Sequence, residues 1–109
     1  MKAARYCYLS NSLRVNFDTR LYNEFRYAAV KDAHRGEMYG MQCLFRFYSY
    51  GLENRFDVNL FQDFQYYVCM DLNAGYRYGI EKLWAYIHYS GNKPELLEEI
   101  REALLDFIV

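Results

Sequence analysis

One proline, two histidines and three cysteines are all that 109 residues hold of those types, and each scarcity closes a route. Cys7, Cys43 and Cys69 are odd in number and lack CxxC spacing, so neither a disulfide framework nor a zinc site is indicated. They read as reduced thiols. His34 precedes a helix end and His88 adjoins Tyr89, neither with a Cys or His at ligand spacing, so no metal is expected. There is no glycine-rich phosphate loop and no hydrolase elbow. No catalytic residue, no cofactor and no enzyme activity is therefore expected. Net charge is only -1, without the surplus of Lys and Arg on which generic phosphate tracking rests. Any nucleic-acid role must then be local and specific. No apolar run approaches a membrane span, and the opening MKAARYCY lacks the apolar centre of a signal peptide. A cytoplasmic or nuclear protein without a membrane partner is expected, the cytoplasm being the first choice.

What is abundant is aromatic. Hydrophobic residues make up 53% and aromatics 20%, which argues for a folded chain, and the length suits one domain spanning residues 1–109. Thirteen tyrosines stand beside eight phenylalanines and one tryptophan. Tyrosine packs an apolar ring while offering a hydroxyl, so part of the excess is expected at a binding surface and most in amphipathic packing.

A period of 39 residues orders these rings: Phe25 and Phe64, Asp32 and Asp71, Gly36 and Gly75, Tyr39-Gly40 and Tyr78-Gly79, Leu44 and Leu83, Tyr50 and Tyr89. Self-similarity at that spacing marks stacked helical hairpins. An all-α stack of three repeats is predicted, at about 1–38, 39–77 and 78–109. Within them the apolar spacing predicts helices from about Arg5 to Val15, from Asp18 to Gly36, from Tyr39 to about Asn54, from Asp57 to Gly75 and from Tyr78 to about Ser90. Asp18 and Asp57 are N-caps, and the recurrent glycines read as helix caps. Pro94 suits a first helical turn, so a last helix is predicted over Glu95 to Ile108, its apolar face formed by Leu96, Leu97, Ile100, Leu104 and Phe107. It departs from the repeat and caps the stack. The acidic run Glu95, Glu98, Glu99 and Glu102 is its solvated face.

Arg46, Tyr50 and Glu53 stand at i, i+4 and i+7 and so project from one side of one helix. The period carries Tyr50 onto Tyr89 in the next repeat. Neighbouring helices pack roughly 8–10 Å apart, so two rings leaning together leave a slot for one flat ring. Two electron-rich faces suit a cationic ring best, and a carboxylate at the edge can accept from adjacent N–H donors. A flat cation with two such donors describes 7-methylguanine, the base of the messenger RNA cap. The blander reading makes the tyrosines packing residues and Arg46–Glu53 a weak surface pair. A helical scaffold holding a peptide or protein partner is the alternative function.

The run MYGMQCLFRFYSYGLENRF at 38–56, the run YRYGIEKLWAYIHYS at 76–90 and the DFQ at 63–65 resemble the C-terminal helical repeat region, the DM fifteen region, of the La-related protein one subfamily. Similarity extends from about Leu13 to Ser90. The resemblance implies a HEAT-like stack that binds the 7-methylguanosine cap of mRNA and represses translation of transcripts with 5′ terminal pyrimidine tracts. It implies Arg46 at the phosphates, Ser49 at the pocket edge, Tyr50 and Tyr89 as the stacking pair and Glu53 as the guanine reader. The partner is then a capped mRNA 5′ end, besides any protein partners, and the protein is expected to be a monomer.

The first repeat departs from that pattern. Where the family has an arginine and an aromatic for the first transcribed nucleotide, this chain has Cys7 and Asn11. Arg14, one period before Glu53, keeps a basic residue suited to the RNA backbone. Arg5 lies close in sequence and is a second candidate for the RNA backbone, but a shift of two residues turns a side chain about 200° around a helix, so it replaces the missing arginine only where the helix is locally irregular or the register slips. The cap pocket carries over whole. The holder of the first nucleotide does not.

Overall fold

The computed structural model describes residues 1–108 and is built of six helices: α1 (Ala3–Val15), α2 (Thr19–Ala33), α3 (Tyr39–Asn54), α4 (Val58–Asn73), α5 (Tyr78–Ser90) and α6 (Glu98–Ile108). Among the described residues there is no strand. The odd helices stack side by side, α3 between α1 and α5, and the even helices pack behind them. The slab measures 36 × 30 × 18 Å, its thin dimension being that of two helical layers.

Local chemistry sets the helix ends. The Asp18 carboxylate accepts from the Leu21 N–H (3.1 Å), and Asp57 accepts from Asn59 (2.9 Å) and Leu60 (3.0 Å). Gly36 and Gly75, at φ of +81° and +90°, close α2 and α4, and the Glu37 and Tyr76 amides return to the Asp32 and Asp71 carbonyls. Gly40 and Gly79 serve a different purpose from the capping expected of the recurrent glycines. They lie inside α3 and α5, and a Cβ there would stand 2.5 Å from the Tyr6 ring and 2.7 Å from the Phe45 ring. Tyr6 and Phe45 are themselves one period apart, so one ring-on-glycine contact is used twice to bring consecutive odd helices close.

The core is largely aromatic. Tyr48 stacks on Phe64 at 5.0 Å, and its hydroxyl donates to that of Tyr22, which in turn donates to Asp63 (2.7 Å). Five of the thirteen tyrosines are buried, and seven are exposed. More of the excess therefore lies at the surface than amphipathic packing alone predicts.

The last repeat differs from expectation in two ways. Residues 91–97 are not helical, so Pro94 opens no helix and α6 begins at Glu98. Leu97 is exposed, and its amide donates to the buried Gln65 side chain at 2.8 Å, an interaction that helical spacing does not reveal. From Glu98 onward the repeat register holds: Ile100, Ala103 and Phe107 fall 39 residues after Phe61, Phe64 and Val68, all packed on or within the core. Only the connection departs from the repeat.

Candidate ligand-binding face

The odd helices present one continuous face. Buried serines set their relation: Ser10 donates to the Cys43 carbonyl (3.0 Å), and Ser49, one period on, donates to the Lys82 carbonyl (3.1 Å). Ser49 is 2% exposed, so it lies beneath the face rather than at a pocket edge and ties α3 to α5.

Tyr50 stands at the centre of this face, 38% exposed. The Arg14 guanidinium lies 5.3 Å from its ring centroid and the Lys82 ammonium 5.4 Å, and Lys82 also donates to its hydroxyl (3.2 Å). The ring already attracts two cations, as its electron-rich face predicts. Tyr89 projects from α5 with 71% of its surface exposed. It contacts the edge of His88 at 4.8 Å, and His88 lies flat on Trp84 at 4.7 Å. Among the described residues the two tyrosines make no ring pair with each other.

Arg46 donates to the Tyr78 hydroxyl (2.9 Å) and to Cys43 Sγ (3.2 Å), and it lies 5.8 Å from the centroid of Tyr39. It does not pair with Glu53. The Glu53 carboxylate is exposed and, among the described residues, has neither an ion pair nor a hydrogen bond. The surface-pair alternative is therefore excluded in its simplest form.

On α1, the exposed Cys7 accepts from Asn11 Nδ2 (3.6 Å), and the Asn11 side-chain oxygen accepts from Arg14, whose Nε also donates to the Ser10 carbonyl (3.2 Å). Gly51 leaves room for Arg14, whose Cγ would meet a Cβ there at 3.4 Å. Arg5 faces α2 instead and pairs with Glu24 at 3.1 Å. Side-chain contacts thus link Arg14, Tyr50, Lys82, Tyr78 and Arg46, with Asn11 beside Arg14; Glu53 stands one turn beyond Tyr50 on α3, Tyr89 contacts His88 on α5, and Arg5 lies outside.

Three participants escape sequence reasoning: Tyr78, Lys82 and His88. Tyr78, Lys82 and Tyr89 share one stripe of α5 at spacings of four and seven, the signal that could have found them. Lys82 falls one period after Cys43, so a search for residues shared between repeats passes over it. Among the described residues no group of three His, Cys, Asp or Glu side chains is placed to hold a metal ion, and no helix is long and apolar enough to cross a membrane.

Comparison with curated proteins finds no match. The family model for the LARP1 HEAT repeat region matches residues 2–108.

Proposed function

Given that the chain belongs to the LARP1 HEAT repeat family, we propose that it binds the 7-methylguanosine cap at the 5′ end of mRNA through Tyr50, Tyr89, Glu53 and Arg46. One observation carries this reading: exposed tyrosines stand at the same repeat position of adjacent stacked helices, and Glu53, one turn beyond Tyr50, has no protein partner among the described residues. The methylated base is a cation, so it gains on each tyrosine face what Arg14 and Lys82 now gain on one. Glu53 accepts from guanine N1–H and the exocyclic amine as a charge-assisted pair. Arg46, held by a neutral phenol rather than a carboxylate, keeps its charge available for the phosphate chain. Ser49 acts at one remove, by fixing the α3–α5 spacing.

Holding the cap withholds the transcript from initiation, so translational repression in the cytoplasm follows, with pyrimidine-tract transcripts as the family's targets. The first repeat supports less. Asn11 restrains Arg14 and supplies no ring, so contact beyond the cap is confined to the RNA backbone at Arg14. The protein is proposed to act as a monomer.

The direct test is thermal. A methylated cap analogue is expected to raise the melting temperature, whereas unmethylated GTP at equal concentration leaves it nearly unchanged. Equal shifts with both ligands would refute stacking on a cationic base. No shift with either, together with capture of a peptide by the same face, would favour the scaffold alternative.

A further inference from the structure

Lys82 is placed where the proposed ligand has to go. Its ammonium lies 5.4 Å from the ring centroid of Tyr50 and 5.4 Å from that of Tyr78, and it donates to the Tyr50 hydroxyl. Among the described residues no carboxylate pairs with it. Tyr78 is also the partner of Arg46. Lys82 and Arg46 therefore approach one phenol from two helices, Lys82 toward its ring and Arg46 at its hydroxyl, and among the described residues no carboxylate pairs with either.

A cationic base stacked on Tyr50 would come within a few ångströms of the Lys82 ammonium. Two like charges that close repel strongly once water is excluded. Lys82 has a flexible four-carbon stem and a single phenolic hydrogen bond to lose, whereas Arg14 is held by two protein acceptors. Lys82 is the group that moves. Turning about its stem over the Tyr78 ring carries the ammonium toward Arg46, where a second positive charge is tolerated only if an anion lies between them.

We propose that Lys82 makes this site selective for a base that carries its 5′-phosphate chain: it holds the Tyr50 hydroxyl, at the edge of the stacking face, in the free protein and joins Arg46 on the phosphates when the ligand binds. The inference rests on the cap reading and deepens it. A methylated nucleoside has to displace the ammonium and offers it nothing in return. A nucleoside polyphosphate displaces it and receives it.

The test uses two ligands, 7-methylguanosine and 7-methyl-GTP, titrated calorimetrically into the whole chain. Replacing Lys82→Met keeps the stem that packs on Tyr78 and removes only the charge. It should tighten nucleoside binding several-fold and weaken triphosphate binding about tenfold, each being a change of one cation–π or charge-assisted contact. The two affinities thus move in opposite directions. Lys82→Arg keeps the charge and should retain the triphosphate preference, and Lys82→Gln provides the same charge removal should the methionine variant not fold. If both ligands weaken together, or if their affinity ratio is unmoved in folded Lys82→Met or Lys82→Gln protein, the inference is overturned while the cap reading stands. A wild-type protein that binds neither ligand overturns both.

Discussion

Exposed aromatic rings and an unpaired carboxylate are where single side chains matter most. Tyr50→Ala and Tyr89→Ala each remove one face of the proposed sandwich, so on that proposal each should cost about 2 kcal/mol, about a thirtyfold loss of cap affinity. Both rings are exposed, so the melting temperature should move far less than binding. A fluorescence titration with a cap analogue checks this, and wild-type affinity in both folded variants would refute the pocket. Glu53→Gln offers an NH2 group to the guanine donors and should lower selectivity for guanine over other bases in a competition titration. Asp71 presents a separate case. Burial raises its carboxyl to about 6, and among the described residues its side chain makes no hydrogen bond. Its counterpart Asp32 accepts from the Tyr6 hydroxyl (2.6 Å), which holds that carboxyl below its ordinary value. Phe45 stands in Tyr6's place one repeat later and has no hydroxyl to give. A raised folded value means the folded protein binds the extra proton between pH 4 and 6, so stability from Asp71 is greatest below that window and declines as pH rises through it. Asp71→Asn should therefore stabilise at pH 7, by at most about 3 kcal/mol, with the advantage shrinking as pH falls toward 4 in denaturant titrations.

Between helices, glycine decides the approach. Gly79 in α5 receives the Phe45 ring, which is fully buried and cannot swing away. Gly79→Ala should cost about 1–3 kcal/mol of stability by overpacking, and a second change Phe45→Leu should recover part of it, a coupling measurable by a double-mutant cycle. Gly36→Ala behaves differently. Nothing lies within 4 Å of its added Cβ, so its cost of about 1–2 kcal/mol comes from the left-handed backbone alone, and no neighbouring change should relieve it. Because Ser49 joins the same two helices, movement of α5 on α3 also carries Lys82 and Tyr89 relative to Tyr50. Gly79→Ala should then weaken cap binding as well, although it touches no ligand.

Taken whole, the molecule puts its most buried helix at the centre of its proposed ligand face. One side of α3 holds Leu44, Phe45, Tyr48 and Leu52 in the core, and the other presents Arg46, Tyr50 and Glu53. The site is thereby mounted on a rigid element. The asymmetry lies at the ends of the stack, where α1 supplies Cys7, Asn11 and Arg14 and the lengthened α5–α6 connection alters the third repeat. Capped oligonucleotides differing only in the first nucleotide should therefore bind within a few-fold of one another, since a stacked base would add about 1–3 kcal/mol and Asn11 offers no ring. A strong preference for cytosine would show that the first repeat reads RNA through other groups, with Arg14 the first to mutate.

The 39-residue period, the aspartate caps, the glycines at the helix ends and the helical spacing of Arg46, Tyr50 and Glu53 were all legible in the residues, because each rests on local backbone chemistry or on a helix's own geometry. These determined an all-α repeat stack and which face of α3 carries the proposed site. Other features depend on what one helix meets on the next, which linear spacing does not encode. Gly40 and Gly79 reveal themselves as contact points only when Tyr6 and Phe45 lie on them, and Ser49 as a tie only when the Lys82 carbonyl is within reach. The start of α6 was misplaced because Pro94 and the acidic run fit a helix locally, while the Gln65 side chain captures the Leu97 amide from another helix. Only the tertiary structure decided that Lys82 stands over Tyr50. The repeat offers no twin for it, and its place comes from the stacking of α5 on α3.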